Sequence, residues 1–135
     1  MIAFKNYTVA VHDLAQAIAD HEARFGMQKI GERGHNTIGN FESQAMGYDG
    51  KVLLLLIQPV PNASPIHKLM EERKNPLNPY GEGIYLVVYE CADVEAFCKQ
   101  IEAAGGRVTR APGSTMAWVH PTASNFVLME LVPKR

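Results

Sequence analysis

Asn6-Tyr7-Thr8-Val9-Ala10-Val11-His12-Asp13-Leu14 is matched in pattern eighty positions later by Leu86-Val87-Val88-Tyr89-Glu90-Cys91-Ala92-Asp93-Val94. Each stretch is an apolar run, then an aspartate, then a helical pattern. Each helical pattern ends at a glycine, Gly26 and Gly106, again eighty apart. One offset held through strand, cap and helix end predicts two copies of a single folding unit. Two copies facing each other make a cleft, and the side chains that point into it set the function.

Outward from that stretch, the first copy reads as a strand from about Phe4 to Val11, then a helix capped by Asp13 with Gln16 in capping-box position. Leu14, Ile18 and Phe25 fall on one helical face. Gly26 suits the left-handed turn that ends a helix. Strands follow near Gln28 to Arg33, Ile38 to Met46 and Lys51 to Gln58, with Tyr48-Asp49-Gly50 as a turn and Pro59 as a stop. The second copy has strands over Gly83 to Glu90, Arg107 to Arg110, Thr115 to His120 and Asn125 to Val132. Its helix is capped by Asp93 and buries Val94, Phe97, Ile101 and Ala104. Between the copies, Ser64-Pro65 opens a short helix through about Arg73. Lys74 to Gly81 contains two prolines and reads as a surface linker. The chain is therefore one α+β domain over 1–135: module one at 1–60, linker at 61–81, module two at 82–135.

Composition narrows the function classes. A formal net charge of −1, with no lysine or arginine block, gives no reason to expect a nucleic-acid or membrane partner. The longest apolar run, Val52 to Ile57, is of strand length and far short of the ~20 residues a bilayer span needs. No basic-then-apolar start reads as a secretion signal, so a cytoplasmic protein is expected. Cys91 and Cys98 lack metal-site spacing and read as reduced core or boundary thiols.

Strand alternation assigns faces. Tyr7, Val9 and Val11 are expected under the first helix, which turns Asn6, Thr8 and Ala10 toward the cleft. Leu53, Leu55 and Ile57 share one parity, and Leu86 and Val88 share another. Glu130 is the lone charge in an apolar strand. It must be hydrogen-bonded, paired or raised in pKa, unless it is an edge residue facing water. His120, in Val119-His120-Pro121, either touches a ligand or stabilises its turn. Glu42 is a candidate second carboxylate or a solvent-facing strand charge.

These segments resemble the vicinal oxygen chelate superfamily, which includes glyoxalase I, bleomycin-resistance proteins and extradiol dioxygenases. The resemblance is carried by Val9 to Leu14, Ile57-Gln58-Pro59, Ser64-Pro65-Ile66, Gly81 to Ile84, Asp93 to Ala96, Val119-His120-Pro121 and Val127 to Val132. It is nearest to the methylmalonyl-CoA epimerase branch. It implies a curved eight-stranded sheet built from two paired βαβββ modules around one cleft, and, since members often pair, a homodimer. It also implies a divalent metal on four positions, which here read Asn6, Leu55, Leu86 and Glu130. Only Glu130 is a strong ligand, and Zn²⁺, Co²⁺ or Mn²⁺ need three or four. The expectation is therefore no metal and no other cofactor.

With Leu55, Leu86 and Val88 as apolar walls, Glu130 becomes the expected general acid and base, with Glu42 as a possible second. Asn6, Thr8 and His120 would orient the substrate oxygen. The implied activity is a metal-independent isomerase or lyase acting next to a carbonyl, on a CoA thioester or an oxo-acid. The alternative is a binding protein that sequesters a small molecule without chemistry, as the bleomycin-resistance relatives do.

Overall fold

The computed structural model describes residues 1–135. In chain order the elements are β1 (Ile2–Ala10), α1 (Leu14–Phe25), β2 (Gln28–Asn36), β3 (Phe41–Tyr48), β4 (Lys51–Pro59), α2 (Pro65–Arg73), β5 (Gly83–Cys91), α3 (Val94–Ala103), β6 (Val108–Arg110), β7 (Ala117–Val119) and β8 (Met129–Pro133). A 3₁₀ turn at Pro121–Ala123 separates β7 from β8. The protein is α+β: three helices and one eight-stranded sheet that does not close, because β2 and β6 stand at its two ends. The order β-α-β-β-β occurs twice, with α2 between the copies.

Local chemistry explains the repeat. Asp13 and Asp93 sit at the same backbone angles, φ −140° and −138°, and each carboxylate accepts the backbone N–H three residues on. That satisfies one orphan donor of each helix start. The capping box is only half made: the Gln16 side chain donates forward to Asp20 at 2.9 Å instead of back to Asp13. The helix ends differ from the sequence expectation. Gly26 takes the left-handed conformation after α1. After α3 it is Gly105, at φ +87°, that does so, and not Gly106. There the Gly105 N–H reaches Glu102 O and the Gly106 N–H reaches Ile101 O, the two bonds of a Schellman motif. At the β3–β4 hairpin, Asp49 and Gly50 both have positive φ, the primed turn that matches strand twist.

The chain forms two compact units, Tyr7–Tyr85, and Met1–Asn6 together with Leu86–Arg135. In the first, strands run β2-β3-β4-β1, with β1 and β4 parallel and Thr8 opposite Leu55. In the second they run β5-β8-β7-β6, with β5 and β8 parallel and Val88 opposite Glu130. The two parallel pairings are in equivalent register. Thr8 and Val88 are eighty residues apart, whereas Leu55 and Glu130 are seventy-five apart, so the second copy is five residues shorter between these strands.

Packing follows alternation with one interruption. Val11, Leu14, Ile18, Met27, Met46, Leu54 and Leu56 form the core under α1, and Tyr7 and Val9 pack on it. Ala10, Leu55 and Ile57 lie on the other face with Ile66 and Met70 of α2. Leu53 does not join them. The β3–β4 register passes from Met46↔Leu54 to Gly47↔Val52, so Leu53 is the extra residue of a bulge and packs on the α1 core. Phe25 is 54% exposed instead of buried on α1. In the second unit Cys98 is the centre of the α3 core, with Ala117, Val119 and Leu131, while Val94, Phe97 and Ile101 flank it and Ala104 is an exposed cap. Both cysteines are free and buried. No helix is long and apolar enough to cross a membrane.

Candidate functional site

In the second unit, Tyr89, Met129, Leu131, Ala117 and Val119 pack toward α3. Alternation therefore puts Val88, Glu130 and Trp118 on the opposite face. They form one row across three strands: Val88 pairs with Glu130, Glu130 with Trp118, and Trp118 with Thr109. Glu130 is thus in a central strand, not at an edge. Its carboxyl is half-buried between two apolar neighbours. Burial pushes its pKa above the ordinary carboxylate range, and the Lys5 charge pulls it partly back. Leu86 and Val88 are each 8% exposed, so the buried neighbours of Glu130 on β5 are aliphatic.

The other expected residues are placed as follows. Asn6 and Thr8 share one face of β1 and are 8% and 7% exposed. Neither side chain is hydrogen-bonded within the protein, and no buried polar side-chain atom lacks a partner, so the polar atoms of both reach solvent. Leu55 pairs with Thr8 in the first unit. Glu42 is exposed and pairs with Gln58. The side chain of Gln58 accepts the Leu14 N–H of α1 at 2.7 Å, and Gln44 and Met46, of Glu42's parity, lie on the α1 side. Glu42 therefore stands on the face opposite Leu55 and Ile57. His120 caps the 3₁₀ turn: its Nδ1 accepts the Thr122 N–H at 3.2 Å and lies 2.7 Å from the Thr122 hydroxyl. With Nδ1 accepting, the ring proton lies on Nε2.

The donor set for a metal does not fit. No three of the histidine, cysteine, aspartate and glutamate side chains gather at one point. Of the four positions that the resemblance implies, Leu55 and Leu86 have no lone pair, and Asn6 offers only an amide oxygen. No chemical step is therefore routed through a metal.

Two polar groupings lie elsewhere. A cavity of about 400 Å³ is lined by Asp93, Glu95, Arg110, Ser114 and Met116. Arg110 there is already held by Glu95 at 2.9 Å and Glu102 at 2.6 Å, so its charge is spent within the protein. In the first unit, His12 donates to Glu82 at 2.8 Å and stacks on Tyr80 with ring centres 3.5 Å apart. Sequence reasoning missed Trp118, Lys5 and this His12 contact. Trp118 was within reach, because it is the single tryptophan and lies two residues, one strand period, before His120.

The repeat, the strand order and the position of Glu130 define a glyoxalase-type βαβββ protein. The family model for the glyoxalase/bleomycin resistance protein/dioxygenase superfamily matches residues 7–121, and the chain belongs to that superfamily. No protein of curated function matches its sequence. Several solved structures share the fold. Methylmalonyl-CoA epimerase from Mycobacterium tuberculosis is 24% identical with a TM-score of 0.77, over 98% of this chain and 88% of that one. A hypothetical protein from Bacillus halodurans is 18% identical with a TM-score of 0.80, over 99% and 95%. A variant Streptomyces coelicolor methylmalonyl-CoA epimerase, in complex with 2-nitronate-propionyl-CoA, is 24% identical with a TM-score of 0.75, over 97% and 96%.

Proposed function

We propose that this protein is a small-molecule isomerase acting at a carbon next to a carbonyl, on a CoA thioester or a small oxo-acid, without a metal. A lyase using the same acid belongs to the same reading. The observation that carries it is Glu130, half-buried in a central strand between Val88 and Trp118, with its proton affinity raised by burial. A carboxyl poised closer to neutrality than an exposed one is suited to both accepting and returning a proton. The fold shared with methylmalonyl-CoA epimerases supports the substrate class.

As carboxylate, Glu130 takes the proton α to the carbonyl. The C–H bond breaks, its electron pair moves into the carbonyl, and an enolate forms. Return of the proton to that carbon re-forms the bond and regenerates the carboxylate, with no net oxidation. The Asn6 amide and the His120 Nε2–H are the proposed donors to the enolate oxygen, and the Leu86 and Val88 side chains keep water away. Glu42, on the other sheet face, takes no part in this reading.

The test is exchange of α-hydrogen for deuterium in propionyl-CoA and pyruvate, followed by NMR. Glu130→Gln is expected to lose on the order of 10²–10⁴-fold in rate. Unchanged exchange in that variant overturns the assignment. The second reading, a sequestering protein, is favoured by the same lack of a metal donor set. Tight binding without any exchange would establish it. Pairing into a homodimer completes the proposal, and sedimentation of the 14.9 kDa chain decides it.

A further inference from the structure

If Glu130 is the reacting acid, one neighbouring group has no role yet. Trp118, the only tryptophan in the chain, is the antiparallel partner of Glu130, and Val88 is its partner on the other side. Directly opposed residues of an antiparallel pair hold their Cβ atoms about 4.5–5.5 Å apart. Indole and carboxyl are therefore immediate neighbours on the face away from α3. The indole is only half-buried, and its Nε1–H has no acceptor in the protein. A tryptophan that served packing alone would have its area covered and its N–H paired. A second aromatic lies nearby in sequence. Phe126, four residues before Glu130, is 83% exposed with φ +67°. A bulky residue in that region is strained and here is not compensated by burial. Its loop is braced by Phe126 N–H to Pro121 O at 2.7 Å and Val127 N–H to Ser124 O at 3.2 Å. Lys5 is the one cation whose charge reaches Glu130.

We propose that Trp118 determines specificity: the acyl group presented to Glu130 is aromatic, and its ring stacks on the Trp118 indole. The inference rests on the reading of Glu130 as the reacting acid. A short aliphatic acyl group would leave the indole bare. An aromatic one covers it, with edge or offset-stacked geometry that adds to simple burial.

Two matched probe pairs test this: phenylacetyl-CoA against acetyl-CoA, and phenylpyruvate against pyruvate. Binding is followed by the fluorescence of the single tryptophan and by calorimetry. The expected result is at least about tenfold tighter binding of the aromatic member of one pair, with quenching of the indole. The pair that shows it identifies the carrier, thioester or free acid. Trp118→Thr is expected to bring the ratio close to one, and Trp118→Phe to restore it. Equal affinities in both pairs, no binding of either aromatic probe, or a preference that survives Trp118→Thr overturns the proposal. Deuterium exchange on the same probes separates the two readings. Preference without exchange keeps Trp118 as a selectivity residue and removes the isomerase. Exchange without preference removes only the role of Trp118. The wild-type comparison stands even where Trp118→Thr does not fold.

Discussion

His12 and Glu82, seventy residues apart, are joined through one carboxylate oxygen, which accepts both the imidazole Nδ1–H at 2.8 Å and the His12 backbone N–H at 2.9 Å. The contact ties the end of β1 to the segment just before β5, and Tyr80 lies flat on the imidazole, 5° from parallel. Both side chains are about 40% exposed, at 41% and 37%. The ionic part of the pair is therefore worth only ~0–1 kcal/mol, and most of its effect comes from the backbone donor it satisfies. Glu82→Ala is expected to destabilise by about 1 kcal/mol in urea unfolding. It should also speed amide exchange in residues 74–82 more than in β3. Uniform exchange across both segments would show that the pair does not anchor the linker.

Glu130 ties stability to pH in a stated direction. Its folded-state pKa lies above the ordinary value of 4.5. Folding therefore favours its protonated form, and that contribution is complete below pH 4.5 and lost as pH rises through the folded pKa. Glu130→Gln is expected to match the wild type near pH 4 and to exceed it in Tm at pH 7 to 8. Thermal unfolding across that range measures it. A variant that gains nothing at high pH would place the wild-type carboxyl in bulk water.

Cys98 is fully buried at the centre of the α3 core, and burial raises its thiol pKa. Thiol reagents are expected to leave it unmodified in the native protein and to react on unfolding. Cys98→Leu should cost about 1–3 kcal/mol, because the surrounding Ala117, Val119 and Leu131 leave no room for the added methylenes. A denaturant titration decides the size.

Two glycines with similar backbone angles should respond differently to alanine. Gly26 has φ +63° and open space where a Cβ would sit, so Gly26→Ala should cost roughly 1 kcal/mol from conformation alone. Gly81 has φ +65°, and its Cβ would come within 1.8 Å of the Met70 carbonyl oxygen. That backbone atom belongs to α2 and cannot turn aside. Gly81→Ala should cost more than about 3 kcal/mol or abolish folding. Equal losses would show that α2 shifts to accommodate the methyl.

Local signals made much of the fold readable. Asp13 and Asp93 act within three residues of themselves, so a cap motif in sequence is a cap in structure. Ser64 before Pro65 opened α2 for the same reason. The predicted α3 stripe of Val94, Phe97, Ile101 and Ala104 lies to one side of the core, whose centre is the small side chain of Cys98. The strand predicted from Asn125 begins at Met129, since Asn125 and Phe126 carry positive φ that their side chains do not announce. Strand alternation predicts Leu53 on the Leu55 face because it assumes no bulge, and one extra residue reverses every side chain beyond it.

The sequence by itself determined the repeated βαβββ units and the capped helices. Those follow from residue identity and near-neighbour spacing. Tertiary structure alone decided that Glu130 lies between Val88 and Trp118, and that Glu42 sits on the opposite face from Leu55. The two strand partners of Glu130, Trp118 and Val88, are twelve and forty-two positions away, and no local preference encodes which partner a residue will meet across the sheet.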